Sequence, residues 1–370
     1  MTNKRNLWLM TTAMAVGLTF GAAARDSGYI FVSSEKDNAI SVLDGKSYEL
    51  VKKIGTAARP RHLRFNPDQT LIYVAAGDGN AIDVIDVGKL ELVDRIGEID
   101  DPELFDLSPD GKIMYISLED DAKLGILDLE TYFAEREEKP ELTVAAPSED
   151  DDDDDDDDDE EEAREDGDDD DDEMLPGMKT VEVGGEPEGV LVNPDGRTVY
   201  VTSEVANIVH VVDTEAREIT KNVVVGNRPR RFVMTPDGAE LWVSNELSGS
   251  VSILDAKTYD ILDTISFLPR GFRPEEVTPV GITMTDDGST VIVGLGRANH
   301  VAFVDTKSRE IEDYVLVGER AWNTTFNRDN SLLFVTNGLS DDISIIDVAS
   351  RKVVKSVPVG RVPHTVLIDD

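Results

Sequence analysis

The chain has 370 residues, contains no cysteine and carries a formal net charge of −41 at neutral pH. The absence of cysteine excludes disulfide bonds, thiolate metal sites, covalent c-type haem and a catalytic thiol. The acidic charge argues against nucleic acid or an anionic membrane surface as a general partner, because both are bound through clusters of Lys and Arg.

The first 24 residues have the organisation of a secretory signal. Lys4 and Arg5 precede an apolar run that ends at Phe20, and small residues up to Ala24 offer a cleavage site. The apolar run is short for a membrane span. The sequence therefore predicts a signal peptide at 1–24 and an exported protein, periplasmic or secreted, without a membrane anchor.

Two markers recur along the rest of the chain and predict a repeat protein. The first is an apolar run that ends in aspartate, as in "ISVLD", at Asp44, Asp86, Asp128, Asp213, Asp255, Asp305 and Asp347. The second is a turn such as "NPDG" that keeps the same spacing. Each unit holds short β-branched runs separated by turns, the pattern of a four-stranded antiparallel propeller blade. The repeat aspartates are expected to form Asx turns.

The number of units predicts an all-β, seven-bladed β-propeller over 25–370. The last unit, "VGRVPHTVLIDD", ends in an innermost strand with no blade after it, and the first, "YIFVSSE", begins with a second strand. Pairing these two terminal segments would close the ring and remove two exposed sheet edges.

One interval in the repeat is about twice the usual length. Most markers are 42 residues apart, but Asp128 and Asp213 are 85 apart. The excess includes a nearly continuous run of Asp and Glu, which cannot bury enough apolar surface to fold. We therefore predict a disordered acidic insertion at 137–175, between the third and fourth strands of blade three.

Residues that differ between repeats at the entry to the innermost strands are the candidates for function. These positions meet at the mouth of the central channel and are called here the funnel rim. The candidate ligand-binding residues are Arg59, Arg61, Glu103, Glu188, Arg228, Arg230, Arg273, Arg320, Trp322 and His364. The arginines suit a small anionic ligand, and Trp322 could stack on it. Alternatively, Arg61–Glu103 and Glu188–Arg230 are ion pairs that join neighbouring blades.

Patterns of catalytic residues are weak. The chain has four histidines, and none belongs to a Ser/His/Asp set or an H-x-x-H spacing, so no catalytic residue is predicted. Asp101, Glu103, Glu186 and Glu188 are the weak candidates for a metal site. The expectation is that the protein holds neither a metal nor a cofactor.

The repeats resemble a known family. Segments such as "RPRHLRFNPDQTLIYVAAGDGNAIDVID" and "RPRRFVMTPDGAELWVSNELSGSVSILDAKT" are similar to YVTN-type β-propeller repeats. The order of "PR", "PE", "PEG", "RPR", "RPEEVTPVGI" and "RAWNTTF" along blades two to seven is most similar to propellers associated with PQQ-dependent catabolism. The acidic insertion departs from that pattern.

The resemblance implies a periplasmic, non-catalytic binding or accessory protein associated with PQQ-dependent alcohol or aldehyde oxidation. Its expected partner is a small anionic ligand or a protein such as a quinoprotein dehydrogenase, with PQQ binding unproven, and the expected state is a monomer. Two alternatives remain open. One is a lactonase-like hydrolase with a metal at the acidic funnel cluster, and the other is a structural protein that uses its acidic loop to engage partners.

Overall fold

The propeller is confirmed by a computed structural model, which describes residues 26–136, 139–148 and 175–370. These residues form seven four-stranded antiparallel sheets. The first strands of consecutive sheets contact one another around a closed ring, so they surround a central channel. The predicted signal peptide at 1–24 lies outside the described residues.

The blades follow one another in chain order. Blade one contains β1 (Tyr29–Ser34), β2 (Ala39–Asp44) and β3 (Leu50–Gly55); blade two contains β4 (Pro60–Phe65), β5 (Leu71–Ala76), β6 (Ala81–Asp86) and β7 (Glu91–Gly97); blade three contains β8 (Pro102–Leu107), β9 (Ile113–Leu118), β10 (Lys123–Asp128) and β11 (Met178–Glu182). Blade four contains β12 (Pro187–Val192), β13 (Thr198–Ser203), β14 (Ile208–Asp213) and β15 (Glu218–Val224); blade five contains β16 (Pro229–Met234), β17 (Glu240–Asn245), β18 (Ser250–Asp255) and β19 (Ile261–Ser266). Blade six contains β20 (Ile282–Met284), β21 (Thr290–Gly294), β22 (His300–Asp305) and β23 (Ile311–Leu316); blade seven contains β24 (Ala321–Phe326), β25 (Leu332–Asn337), β26 (Asp342–Asp347) and β27 (Lys352–Pro358); β28 (Pro363–Asp369) ends the chain. Helix α1 (Leu129–Glu135) follows β10, and a 3-10 turn (Pro274–Glu276) precedes β20.

The two ends of the propeller share one blade, as predicted. β28 is the innermost strand of blade one and pairs antiparallel with β1, from Tyr29↔Asp369 to Ser34↔Pro363. A backbone hydrogen bond of 2.8 Å from Gly28 to Asp369 extends the pairing. Because the ring closes in this way, no first or last blade exposes an unpaired inner strand.

Burial is greatest in the second and third strands of the blades and least in the outermost strands. All but the first residue of β5 and of β13 are buried, whereas β27 exposes six of its seven residues. The core lies between neighbouring blades, where Tyr73 and Ile82 of blade two pack with Phe105 of blade three. Each sheet therefore buries both faces, which explains why the inner strands read as nearly continuous β-branched and aromatic runs.

The repeat aspartates form the predicted turns. Asp44 Oδ1 accepts the backbone N–H groups of Lys46 and Ser47 at 3.0 and 2.8 Å. The corresponding aspartates of the other blades accept equivalent bonds, and Asp128 caps α1 in the same manner. These residues are part of the scaffold, and they stand at the end of the propeller opposite the entry to the innermost strands.

The segment around the acidic run corrects one prediction. β10 pairs with β11, so the run leaves blade three between its third and fourth strands. Residues 139–148 were predicted to be disordered, but Ala145 N–H donates to Thr56 O and Ser148 N–H to Lys36 O, both at 2.9 Å. This stretch precedes the acidic run and includes the apolar "LTVAAP", so it can pack on blade one. Positions 137, 138 and 149–174 lie outside the described residues.

Candidate functional site

The backbone at the funnel rim adopts an unusual conformation that fixes where the side chains point. Six residues directly before innermost strands have φ angles between 30° and 58°: Arg59, Asp101, Glu186, Arg228, Arg320 and Val362. A non-glycine residue there costs energy and needs support from its surroundings. That support comes from the preceding blade: Asn38 Oδ1 accepts the N–H of Arg59 at 2.8 Å. Equivalent bonds reach Asp101, Arg228, Arg320 and Val362.

The first group of rim side chains lies at blades two and three. Arg61 contacts Glu103, so the predicted ion pair between these blades forms. Arg61 Nε is also 3.6 Å from Glu35, a residue of blade one. Arg59 NH1 lies 3.4 Å from Glu103 Oε1 and 3.6 Å from Asp101 Oδ1. Glu103 is fully buried and Arg61 nearly so, while Arg59 stays one-third exposed.

The second group lies at blades four and five and differs in detail from the prediction. The predicted pair Glu188–Arg230 forms only at 3.7 Å. Arg230 is closer to Glu204, at 2.5 Å, and Glu188 is closer to Arg231, at 2.7 Å. Arg228 Nε also binds Glu204 at 2.5 Å. Burial alone would raise the pKa of Glu188, but Arg230 and Arg231 outweigh it and hold that pKa below its usual range.

Four glutamates of the rim were missed in the sequence. They are Glu35, Glu119, Glu204 and Glu246. Each directly follows the second strand of its blade, in "SSE", "SLE", "TSE" and "SNE", so the signal that reveals them is a fixed place in the repeat. Gly77 and Gly338 occupy the same place in blades two and seven. The prediction covered only positions at the entry to the first strands, so it did not include these positions at the ends of the second strands.

Three carboxyl groups of blade three come together at the rim and form what we call the acidic trio, Asp101, Glu103 and Glu119. One oxygen from each lies within 4.8 Å of the others. Burial and the neighbouring Glu103 raise the pKa of Asp101 to about 6. Burial, with Glu103 and Glu188, raises the pKa of Glu119 to about 9. The trio contains Asp101 and Glu103 of the predicted set and adds Glu119, whereas Glu188 is engaged by Arg231.

A small pocket beside these groups has a cavity volume of about 20 Å³. It is lined by Glu35, Arg61, Arg320, Trp322, Gly338, Val362 and Pro363. That volume holds about one water molecule, so a larger ligand would bind across the mouth of the funnel and not inside this pocket. Trp322 stands between two guanidinium groups, with Arg320 at 4.5 Å and Arg230 at 5.4 Å from its ring. Its buried Nε1 has no hydrogen-bond acceptor among the described residues.

Two predicted rim residues lie elsewhere or act differently. Arg273 is 69% exposed and pairs with Glu275 and Glu276 of its own loop, and it does not line the pocket. His364 is buried, and its ring nitrogens face Thr365 at 3.0 Å and Arg231 at 3.3 Å. It therefore contacts the ion-pair network and does not line the pocket.

Comparison with known proteins adds to the geometry. Residues 194–366 match the family model described as "Lactonase, 7-bladed beta-propeller". This chain is a β-propeller protein. The propeller is similar to the periplasmic gluconolactonase of Pseudomonas aeruginosa, with 19% identity, a TM-score of 0.68, and coverage of 92% of this chain and 99% of that one. No curated protein matches its sequence.

Other solved structures share the fold with different chemistry. Hydrazine synthase of Kuenenia stuttgartiensis is 16% identical, with a TM-score of 0.67 and coverage of 88% of this propeller and 93% of that chain. A dihydro-heme d1 dehydrogenase is 15% identical, with a TM-score of 0.64 and coverage of 93% and 76%. At such identities the likeness shows the fold alone, since one fold hosts many functions.

The expected function is corrected by these findings. The interpretation as a non-catalytic accessory protein of PQQ-dependent oxidation is wrong, because the match of 194–366 to the lactonase propeller family favours the alternative, a lactonase-like propeller. The resemblance of the repeats implied an association with PQQ-dependent oxidation, but it identified no catalytic residues in this chain. In the described ranges, no helix is long and apolar enough to cross a membrane.

Proposed function

We propose that this propeller is a lactonase-type hydrolase that opens a cyclic ester at the funnel rim. The observation that carries the proposal is the gathering of buried guanidinium and carboxyl groups beside the pocket at the rim. The match of 194–366 to the lactonase propeller family supports the same reaction class.

The chemistry of lactone opening needs the two kinds of group that the rim contains. Water adds to the carbonyl carbon, the ring C–O bond breaks, and the released alkoxide takes a proton, which leaves a hydroxy acid. Charge develops on the carbonyl oxygen in the transition state, and a fixed guanidinium such as that of Arg61 stabilises it. The acidic trio adjoins Arg61 through Glu103 and is where the attacking water would be held.

The proposal is tested by measuring ring opening with a panel of five- and six-membered lactones and the full chain. Arg61→Lys keeps the charge but loses the planar fork, and we expect it to lower kcat/KM by roughly 10²–10³-fold, as for removal of an oxyanion donor. Arg197→Lys changes an exposed turn far from the rim and should leave the rate unchanged. The proposal fails if no lactone is opened faster than in buffer, or if both variants behave alike.

Two further statements rest on the sequence and remain proposals. The N-terminal 24 residues support export to the periplasm, where the Pseudomonas aeruginosa gluconolactonase is also located. The closer kinship with propellers associated with PQQ-dependent catabolism rests on the repeat motifs alone. N-terminal sequencing of the protein isolated from a periplasmic fraction checks the first statement, with Arg25 expected as the first residue.

A further inference from the structure

We propose that the acidic trio, Asp101, Glu103 and Glu119, binds one divalent cation of the calcium type at the funnel rim. The binding stands on the geometry of blade three. Only its catalytic use, which is to polarise the lactone carbonyl or the attacking water, rests on the proposed function.

The positions of the three carboxyl groups suit a single ion. Asp101 precedes β8, Glu103 lies on β8, and Glu119 follows β9, so the paired strands β8 and β9 hold all three in place. One oxygen of each lies within 4.8 Å of the other two. Calcium binds oxygen at about 2.3–2.6 Å, so two of its ligands are at most roughly 5 Å apart. The trio satisfies that limit without any movement of the backbone.

Buried oxygens of the trio lack the hydrogen bonds that they need. Glu103 has a fully buried side chain, and its Oε1 accepts no hydrogen bond among the described residues. Asp101 Oδ1 is buried and accepts none either. Arg61 binds the other oxygen of Glu103. The guanidinium of Arg59 lies 3.4 Å from Glu103 Oε1 and 3.6 Å from Asp101 Oδ1, and its hydrogen bond goes to Asp78 at 3.4 Å. A buried carboxylate oxygen without a donor is costly, and a directly bound cation would remove that cost.

The repeat itself supplies an internal comparison for Glu119. Its counterparts Glu35, Glu204 and Glu246 each lie within 4.0 Å of rim arginines. Within the described part of the chain, Glu119 has no such arginine or lysine, and it faces the other acids of the trio instead. In three blades the repeat glutamate is neutralised by a guanidinium, so in blade three a different cation takes that place.

The ligand set identifies the class of cation. All three ligands are carboxylate oxygens, which are hard donors preferred by calcium and magnesium, and the chain has no thiolate to attract softer metals. Magnesium demands a compact octahedron at about 2.0–2.1 Å, whereas calcium accepts six to eight ligands in flexible geometry. Three protein oxygens spread over up to 4.8 Å leave several positions for water or a lactone carbonyl. We therefore expect calcium to be preferred.

The test is calorimetric titration of the full chain with calcium chloride, after treatment with a chelator, in the absence of any lactone. The wild type should show one site that is tighter than the weak binding to the acidic run. Glu119→Gln should weaken that site by about tenfold or more, since it removes a charged ligand. Arg59→Met should tighten it, because a competing positive charge is removed. Glu215→Gln removes an exposed acid elsewhere and should change nothing.

The acidic run is common to all these proteins, so its contribution cancels in the comparison. If Glu119→Gln and Glu215→Gln bind calcium as the wild type does, the site does not exist. A preference for magnesium chloride over calcium chloride in the same titration would overturn the assignment to calcium. Failure to open lactones with calcium binding intact would refute the proposed function alone. Lactone opening with no tight calcium site would refute this inference alone.

Discussion

Replacing Arg230 by methionine tests whether the ion pairs of the rim are truly buried. Its side chain is only 6% exposed and lies 2.5 Å from Glu204, 3.5 Å from Glu246 and 3.7 Å from Glu188. Methionine fills much of the volume of the side chain but leaves these carboxylates with fewer cations. Removing one partner of a buried ion pair costs about 3–5 kcal/mol, because the remaining charge stays buried without compensation. We expect the free energy of unfolding to fall by that amount.

The assay is urea unfolding followed by far-UV circular dichroism, with two comparison proteins. Arg309→Met removes a partly exposed guanidinium that binds Glu240 at 2.6 Å, and we expect a loss of about 1 kcal/mol or less. The double variant Arg230→Met/Glu204→Gln should lose less than the sum of its single variants, since one uncompensated carboxylate is also removed. A loss for Arg230→Met no larger than that for Arg309→Met would refute the reasoning and would mean that water reaches the rim arginines.

Three other perturbations have expected outcomes. Burial lowers the pKa of His210. Its neutral form therefore adds stability that is present above pH 6.5 and is lost as the pH falls through the lowered pKa. On acidification, the melting temperature of His210→Gln should drop less than that of the wild type. Gly55→Val should loosen residues 139–148, because a Cβ at Gly55 would come within 2.3 Å of Val144, and faster amide exchange in that segment is the readout. Gly189→Ala should destabilise the ring, seen as a lower urea midpoint, because its Cβ would lie 2.0 Å from the carbonyl oxygen of Arg230.

The fold was predictable because each blade repeats the same physical signals. Strict spacing of Asp44 and its counterparts, β-branched runs and turn residues all indicate one blade, and the N-terminal unit lacks the one strand that the C-terminal segment supplies. Residues 139–148 were predicted to be disordered because of the charge density nearby. In the structure, Ala145 and Ser148 instead donate backbone hydrogen bonds to Thr56 and Lys36. Sequence spacing within one blade contains no information about such contacts between distant segments.

The site was predictable in its location and only partly in its pairings. First-strand positions identified Arg61 and Glu103 correctly as partners. The choice of Arg231 by Glu188 depends on how adjacent innermost strands are offset around the ring, which the sequence does not contain. Glu119 and its counterparts were accessible in principle, because they occupy one repeat position. Their importance appears only when their neighbours are seen, which are rim arginines for Glu35, Glu204 and Glu246 and other acids for Glu119.

The central claim is that the funnel rim is an active site for opening lactones. The most direct measurement is the steady-state kcat/KM for ring opening of the best lactone in the panel, compared between the wild type and Glu103→Gln. Glu103 contacts Arg61 and belongs to the acidic trio, so we predict a loss of about 10²-fold or more while the protein stays folded by circular dichroism. An unchanged kcat/KM in folded Glu103→Gln would contradict the account and would place the chemistry outside the funnel rim.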